Sequence, residues 1–224
     1  MNDHRIWLRL GGVLAAAAVC TGGASVAAGR AQEAKNVQTA FLGAMETQMQ
    51  IGCYPSETGL PADLTERERT ELQTAYASRV ERYYTEENPC RERYIALNED
   101  FLTACDSDVE YSESGGVADC RFDRVRLSAD RMTAVVQAQT LVWDKRISGN
   151  PEQGFSVELP VNRDTVTATM KKENGEWKLD SIDSQISLPA DNAVCRERYP
   201  TFQTARQAAD SIDDQAYIKE ARFA

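Results

Sequence analysis

Cysteine is the residue type with the widest choice of chemistry in this chain. Six are present: Cys20 inside an apolar amino-terminal stretch, then Cys53, Cys90, Cys105, Cys120 and Cys195. No two form a Cys-x-x-Cys pair, so the spacing offers neither a zinc ribbon nor a thioredoxin-type redox site. Outside the cytoplasm thiols tend to pair, which makes the last five candidate disulfide cysteines, with one left over or bonded to another chain. Buried unpaired thiols are the competing reading. If three amino-terminal helices run up, down and up, Cys53 and Cys105 share one end of the layer and Cys90 lies at the other. A Cys53–Cys105 pair is then feasible, Cys53–Cys90 is strained by distance, and Cys105–Cys120 competes by closing an acidic loop.

The other reactive residue types are thinner. His4 is the sole histidine, so an imidazole base, a His zinc ligand and a His pH switch all lack their residue. Asp106-Ser107-Asp108-Val109-Glu110-Tyr111 opens like a calcium loop, because alternating carboxylates wrap a hard cation. Tyr111 stands where the turn needs glycine and Val117 where it needs glutamate, which leaves a solvated acidic loop. No Gly-x-Ser-x-Gly elbow or Ser-x-x-Lys motif occurs, and Ser114-Gly115-Gly116 reads as a turn. The sequence thus names no catalytic residue, no metal and no cofactor.

These residues sit in a chain of 224, with 42% hydrophobic and 27% charged residues, enough for one substantial core. The net charge of -10 repels phosphate backbones, and the basic residues are dispersed, so nucleic acid is excluded as a partner. Residues 1–31 read as an export signal: Arg5 and Arg9, then an apolar run from Leu10 to Cys20, then the small-x-small sites Val26-Ala27-Ala28 and Gly29-Arg30-Ala31. Cleavage after Ala28 or Ala31 would release a secreted or cell-envelope protein. Two alternatives tie it to a membrane through this segment alone: an uncleaved anchor over Leu10–Ala28, or lipidation at Cys20, where Val19 replaces the small residue such a site prefers.

The elements that must position any site follow in order. Val37, Phe41, Ala44, Met45 and Met49 give helical spacing over Glu33–Ile51. Together with the loop to Asp63 this forms an amino-terminal segment, 32–63. Thr65 and Glu68 make a capping box for a second helix reaching about Tyr84, striped by Leu72, Tyr76, Val80 and Tyr83. Asn88-Pro89 starts a third, about Cys90 to Ala104, with Tyr94, Leu97 and Phe101 inward. The period then changes to two: strands over Asp119–Ser128, Arg131–Ile147, Phe155–Leu159, Thr165–Lys172 and Glu176–Ile182, the last two joined by a tight turn at Asn174-Gly175. Met132, Ala134, Val136, Ala138, Thr140 and Val142 share one face of the second strand. With the strands paired in this order Trp143 and Trp177 become neighbours. They are the candidate pocket lining together with Tyr94, against the alternative that they fill the core. A carboxy-terminal segment, 189–224, carries a helix with Phe202, Ala205, Ala209 and Ile212 on one face, packed on the rest or frayed beyond Asp213. The fold class is α+β, helices packed on an antiparallel sheet. Cys90-Arg91-Glu92-Arg93-Tyr94 recurs as Cys195-Arg196-Glu197-Arg198-Tyr199, either by coincidence or because the two cysteines pair.

Helices first, then long antiparallel strands closing on Gly175-Glu176-Trp177-Lys178-Leu179-Asp180-Ser181-Ile182, resembles the nuclear-transport-factor-2-like superfamily over about 64–188. That resemblance implies a bent sheet wrapped into a cone around a helical layer. It also implies that a secreted bacterial member acts as a non-catalytic module binding a partner or small ligand. Some members are isomerases or cyclases; without histidine only a version using tyrosine and a protonated carboxyl is open, with Tyr76, Tyr83, Tyr84 and Tyr94 beside Asp100 as candidates. A third expectation is an inhibitor or immunity-type protein whose acidic face blocks a basic partner.

Overall fold

The computed structural model describes residues 28–53, 64–103, 109–189, 193–194 and 197–223. Residues 1–27 of the expected export segment, Cys105 and Cys195 lie outside these residues. No described helix is long and apolar enough to cross a membrane.

Helix α1 spans residues 28–49, starting before the periodic run because Ala and Arg near its beginning are good helix formers. Val37, Phe41, Ala44 and Met45 are buried in the main core. At about 2 kcal/mol each for Val, Phe and Met, that burial makes α1 part of the core, not a spacer ahead of it. Gly52 ends it with φ +72°, and its N–H donates to the Asn98 side chain at 2.9 Å. A Cβ there would also come within 3 Å of the Phe101 ring, so glycine answers both constraints. Helix α2, Glu66–Tyr83, begins with the expected capping box at Thr65 and Glu68. Helix α3, Cys90–Thr103, is capped by Asn88, whose Oδ1 accepts from the Cys90 N–H at 2.8 Å.

The sheet is an antiparallel meander of strands longer than their periodic runs. Strand β2, Thr133–Asn150, is its hub. It pairs with β1, Val109–Leu127, along one edge, and with β3, Gly154–Leu159, and β4, Val161–Glu173, in succession along the other. Arg146 opposes Glu158 and Trp143 opposes Val161 in one unbroken register. The Pro160 carbonyl still accepts from the Asp144 N–H at 3.2 Å. Thus β3 and β4 are one ribbon interrupted only by proline's missing donor. Strand β5, Glu176–Pro189, pairs with β4 across the Asn174-Gly175 turn, where φ values of +52° and +87° bear out the hairpin. Strand β6, Ala193–Val194, continues along the outer edge of β3.

Three register shifts lie on β1, at Ser112/Ser114, Val117/Asp119 and Phe122/Arg124. Bulges of this kind bend and twist a strand, and here they carry β1 onto the end of α1. The expected turn at Ser114-Gly115-Gly116 is instead part of this strand, opposite Lys145, Asp144 and Trp143. The glycines make room for the helix: a Cβ on Gly115 would lie 2.4 Å from the Met49 carbonyl, and one on Gly116 2.7 Å from the Glu46 carboxylate.

Alternation gives the sheet two apolar faces, and the helices divide between them except where Leu64 and Leu102 join the carboxy-terminal cluster. Val136, Ala138, Val142, Val166, Ala168 and Met170 pack under α1 and α2. Leu141 and Val161 meet Ile218, while Ile147, Phe155 and Val157 meet Phe202, Ala205 and Ala209. The carboxy-terminal segment is therefore two helices, α4 (Phe202–Asp210) and α5 (Asp214–Phe223). Asp213 does not start fraying: its Oδ1 accepts from the Gln215 and Ala216 N–H groups and begins α5. Of the repeated pentapeptide, Tyr94 lies in α3 whereas Tyr199 bridges Phe155 as extended backbone, and Cys195 and Arg196 lie outside the described residues.

Candidate functional site

The tyrosines that could run acid chemistry have structural partners. Tyr76 donates its hydroxyl to the Thr47 carbonyl at 3.2 Å and Tyr84 to the Ala44 carbonyl at 2.8 Å, both on α1. Burial pushes both phenols well above their ordinary range, and it does the same to Tyr94. Tyr94 stacks edge-on against Tyr84 with ring centroids 5.6 Å apart, and lines neither cavity described below. Tyr83 is half-buried with Arg82 over its ring. Asp100 is exposed on α3. The hydroxyls of Tyr76 and Tyr84 thus pin α2 and its continuation to α1.

The two tryptophans part company. Trp143 faces Val161 and Trp177 faces Lys172, at opposite ends of β4, roughly 35 Å apart at strand rise. The expectation that they are neighbours fails because the ribbon continues through Pro160, lengthening β4 beyond its periodic run. Trp177 is 5% exposed. Its Nε1 donates to Glu33 at 2.8 Å, and Lys172, itself 2.9 Å from the same carboxylate, lies over its ring. The two hydrogen bonds hold Glu33 below the ordinary carboxylate range. The cavity here, about 460 Å³, is lined also by Tyr83 and Arg82, but the indole is occupied as a clamp between α1 and the β4–β5 hairpin.

Trp143 lines a cavity of about 500 Å³ at the β1 edge. Gly115, Gly116, Val117 and Ala118 form its strand wall, Glu46 closes the α1 side, and Gln215, Ile218 and Lys219 of α5 form the opposite wall. One Glu46 oxygen accepts from the Val117 N–H at 3.1 Å, and Gln50 donates to the Gly115 carbonyl at 3.4 Å. Glu46 of α1 and Gln50 just after it thus satisfy backbone groups that an edge strand would leave open.

Beside this cavity lies a charge cluster with no signal in local sequence. Lys145, 5% exposed, donates to the Ala209 carbonyl at 3.2 Å. It also stands 3.0 Å from Asp214 and 3.3 Å from Glu113. Burial first, then a hydrogen bond with Asp210, raises Glu113 to about 7 against the pull of Lys145. The cluster joins β1 and β2 to the α4–α5 corner.

Cys53, Cys90 and Cys120 are free thiols and do not pair with one another; the partners expected for them, Cys105 and Cys195, lie outside the described residues. Their elements keep them apart: Cys53 follows α1 and sits 3.2 Å from the Ser112 hydroxyl, Cys90 opens α3, and Cys120 lies midway along β1. Burial pushes the Cys53 thiol up and raises Cys120 to about 11, so neither is an activated nucleophile. No group of His, Cys, Asp and Glu able to hold a metal occurs among the described residues.

No protein-family model and no curated protein sequence matches the chain. Among solved structures, the intermembrane space region of the chloroplast protein ARC6 is similar with a TM-score of 0.43 and 13% identity, over 69% of this chain and 97% of that one. A likeness at that level carries no argument about what this chain does.

Proposed function

We propose that this protein is a non-catalytic α+β module, secreted or held at the cell envelope, that binds a small ligand in the cavity between β1 and α5. The observation that carries the reading is the contrast between the two tryptophans. Trp177 has its N–H and its ring face taken by Glu33 and Lys172, whereas Trp143 is half-buried and lines a cavity of about 500 Å³, a size suited to a small organic molecule. The tyrosines donating to α1 and the exposed Asp100 favour binding over catalysis. The bulged sheet packed around α1 agrees with what the nuclear-transport-factor-2-like resemblance implies, and membership of that superfamily is part of the proposal. So is export through residues 1–31.

The test is a fragment screen by ligand-observed NMR on the chain starting at residue 29, repeated on Trp143→Ala and Trp177→Phe. Fragments that lose binding in Trp143→Ala and keep it in Trp177→Phe support the reading. Fragments indifferent to Trp143, or none that bind, refute it.

A further inference from the structure

Resting on that reading, we infer that the cavity takes an organic ammonium: a small amine whose charge is held by Glu46 and whose apolar body lies on Trp143, Val117 and Ile218. Three observations converge. The first concerns Glu46 itself. Capping the Val117 N–H takes one carboxylate oxygen, at 3.1 Å. The other reaches the space over Gly116, where a Cβ would stand 2.7 Å away. A glutamine would cap that N–H equally well through its amide oxygen, so the cap alone does not call for a charge. An anion with one oxygen directed over glycine backbone leaves an acceptor for a donor that the strand does not supply.

The second observation is the wall chemistry. Trp143, Val117, Ala118 and Ile218 are apolar and converge on the same space as the carboxylate. An ammonium close to an indole gains attraction from the ring quadrupole as well as from Glu46. Lys219 is the one cation of the wall, but it is exposed on α5, where water screens it. Gln215 adds an amide that can meet a polar substituent at the mouth.

The third is the field of the whole molecule. A chain with net charge -10 concentrates cations and disfavours anions at its clefts. A carboxylate ligand would have to approach against that field and then lie beside Glu46.

The experiment is calorimetric titration of the chain starting at residue 29 with three probes of one shape: phenethylamine, phenethyl alcohol and 3-phenylpropionate. The amine is expected to bind at least about tenfold more tightly than the alcohol, with the acid weakest, in keeping with a charge-assisted hydrogen bond. In Glu46→Gln, which retains the cap on Val117, the amine is expected to fall to the affinity of the alcohol while the alcohol is unchanged. Unfolding curves of this variant establish that it folds. Equal affinity for amine and alcohol, or preference for the acid, overturns the ammonium assignment while leaving the cavity as a ligand site. If no probe binds and the fragment screen also yields nothing at Trp143, the cavity reading falls with it. An amine that binds Glu46→Gln as tightly as the parent chain overturns the role of Glu46.

Discussion

Replacing Lys145 by methionine tests whether the buried charge cluster holds the carboxy-terminal helices to the sheet. Methionine keeps an unbranched side chain and removes the ammonium, leaving Glu113 and Asp214 facing a space with no cation and Asp210 beside them. Removing one partner of a buried ion pair costs roughly 3–5 kcal/mol, because the remaining charge is stranded. Side-chain exposure is 10% for Glu113 and 25% for Asp214, so water reaches part of the site. The lower end, about 3 kcal/mol, is therefore the expected loss at pH 8.

That loss has a pH dependence whose sign follows from Glu113. Its carboxyl is raised from 4.5 to about 7, first by burial and then by Asp210. A group raised on folding binds its proton more tightly in the folded state. Its contribution is fully present below 4.5 and is lost as pH rises through 7. Without the ammonium the anion loses its nearest favourable partner, so Glu113 protonates still more readily in the variant. The loss at pH 6 should shrink to about 1–2 kcal/mol, one pH unit being worth about 1.4 kcal/mol per proton. The assay is urea unfolding at pH 6 and pH 8, with hydrogen exchange on residues 202–223. Protection in α4 and α5 should fall before that of the β2–β4 ribbon, because α5 meets the sheet through Ile218 and Tyr217 and is joined to it by this corner. A loss below about 1 kcal/mol at pH 8, or an equal loss at both pH values, would refute the reasoning.

Two further substitutions probe the frame. Thr140 is 1% exposed and its hydroxyl has no hydrogen-bond partner; Thr140→Val should raise the urea midpoint by about 1 kcal/mol equivalent, and a fall would mean the hydroxyl is engaged. Gly115→Ala places a Cβ 2.4 Å from the Met49 carbonyl and should cost about 2 kcal/mol or more in the same assay. A cost near zero would show that the end of α1 is not seated on β1.

What the sequence made legible were features whose causes are local. Thr65 and Glu68 cap α2, Asn88 caps α3, and Asn174-Gly175 turn the β4–β5 hairpin, each through contacts within a few residues. Where a distant element decides, the same letters mislead. Gly115-Gly116 has the local signature of a turn, yet it is strand because α1 lies against it. Pro160 has the signature of a strand end, yet the register runs through it, and that extension separates Trp143 from Trp177. Trp143 was identifiable as a candidate; its partners Glu46, Gln215 and Ile218 were not, since they come from helices at opposite ends of the chain. Lys145 carries no local mark at all. A lysine on a strand reads as solvated until the face it occupies is known to be covered by α4 and α5.

The cluster and the cavity share an element, and that links stability to binding. Helix α5 begins at Asp214, which Lys145 holds at 3.0 Å, and its next turn supplies Gln215, Ile218 and Lys219 to the cavity wall. Loosening Asp214 therefore loosens the wall. Conversely, a ligand lodged against Ile218 favours the docked helix and, through it, the paired form of the cluster, because any molecule that binds only the docked state stabilises that state in proportion to its affinity. Glu113 titrates in this same corner, so a ligand that prefers docked α5 should show an affinity that weakens as pH rises through about 7. For an amine ligand this trend is distinct from the charge preference carried by the Glu46 carboxylate over Gly116. The two contributions are separable: Glu113→Gln should flatten the pH dependence and leave the preference for the amine intact, whereas Glu46→Gln should abolish the preference and leave the pH dependence. If a single substitution removed both, α5 would not be the link between them.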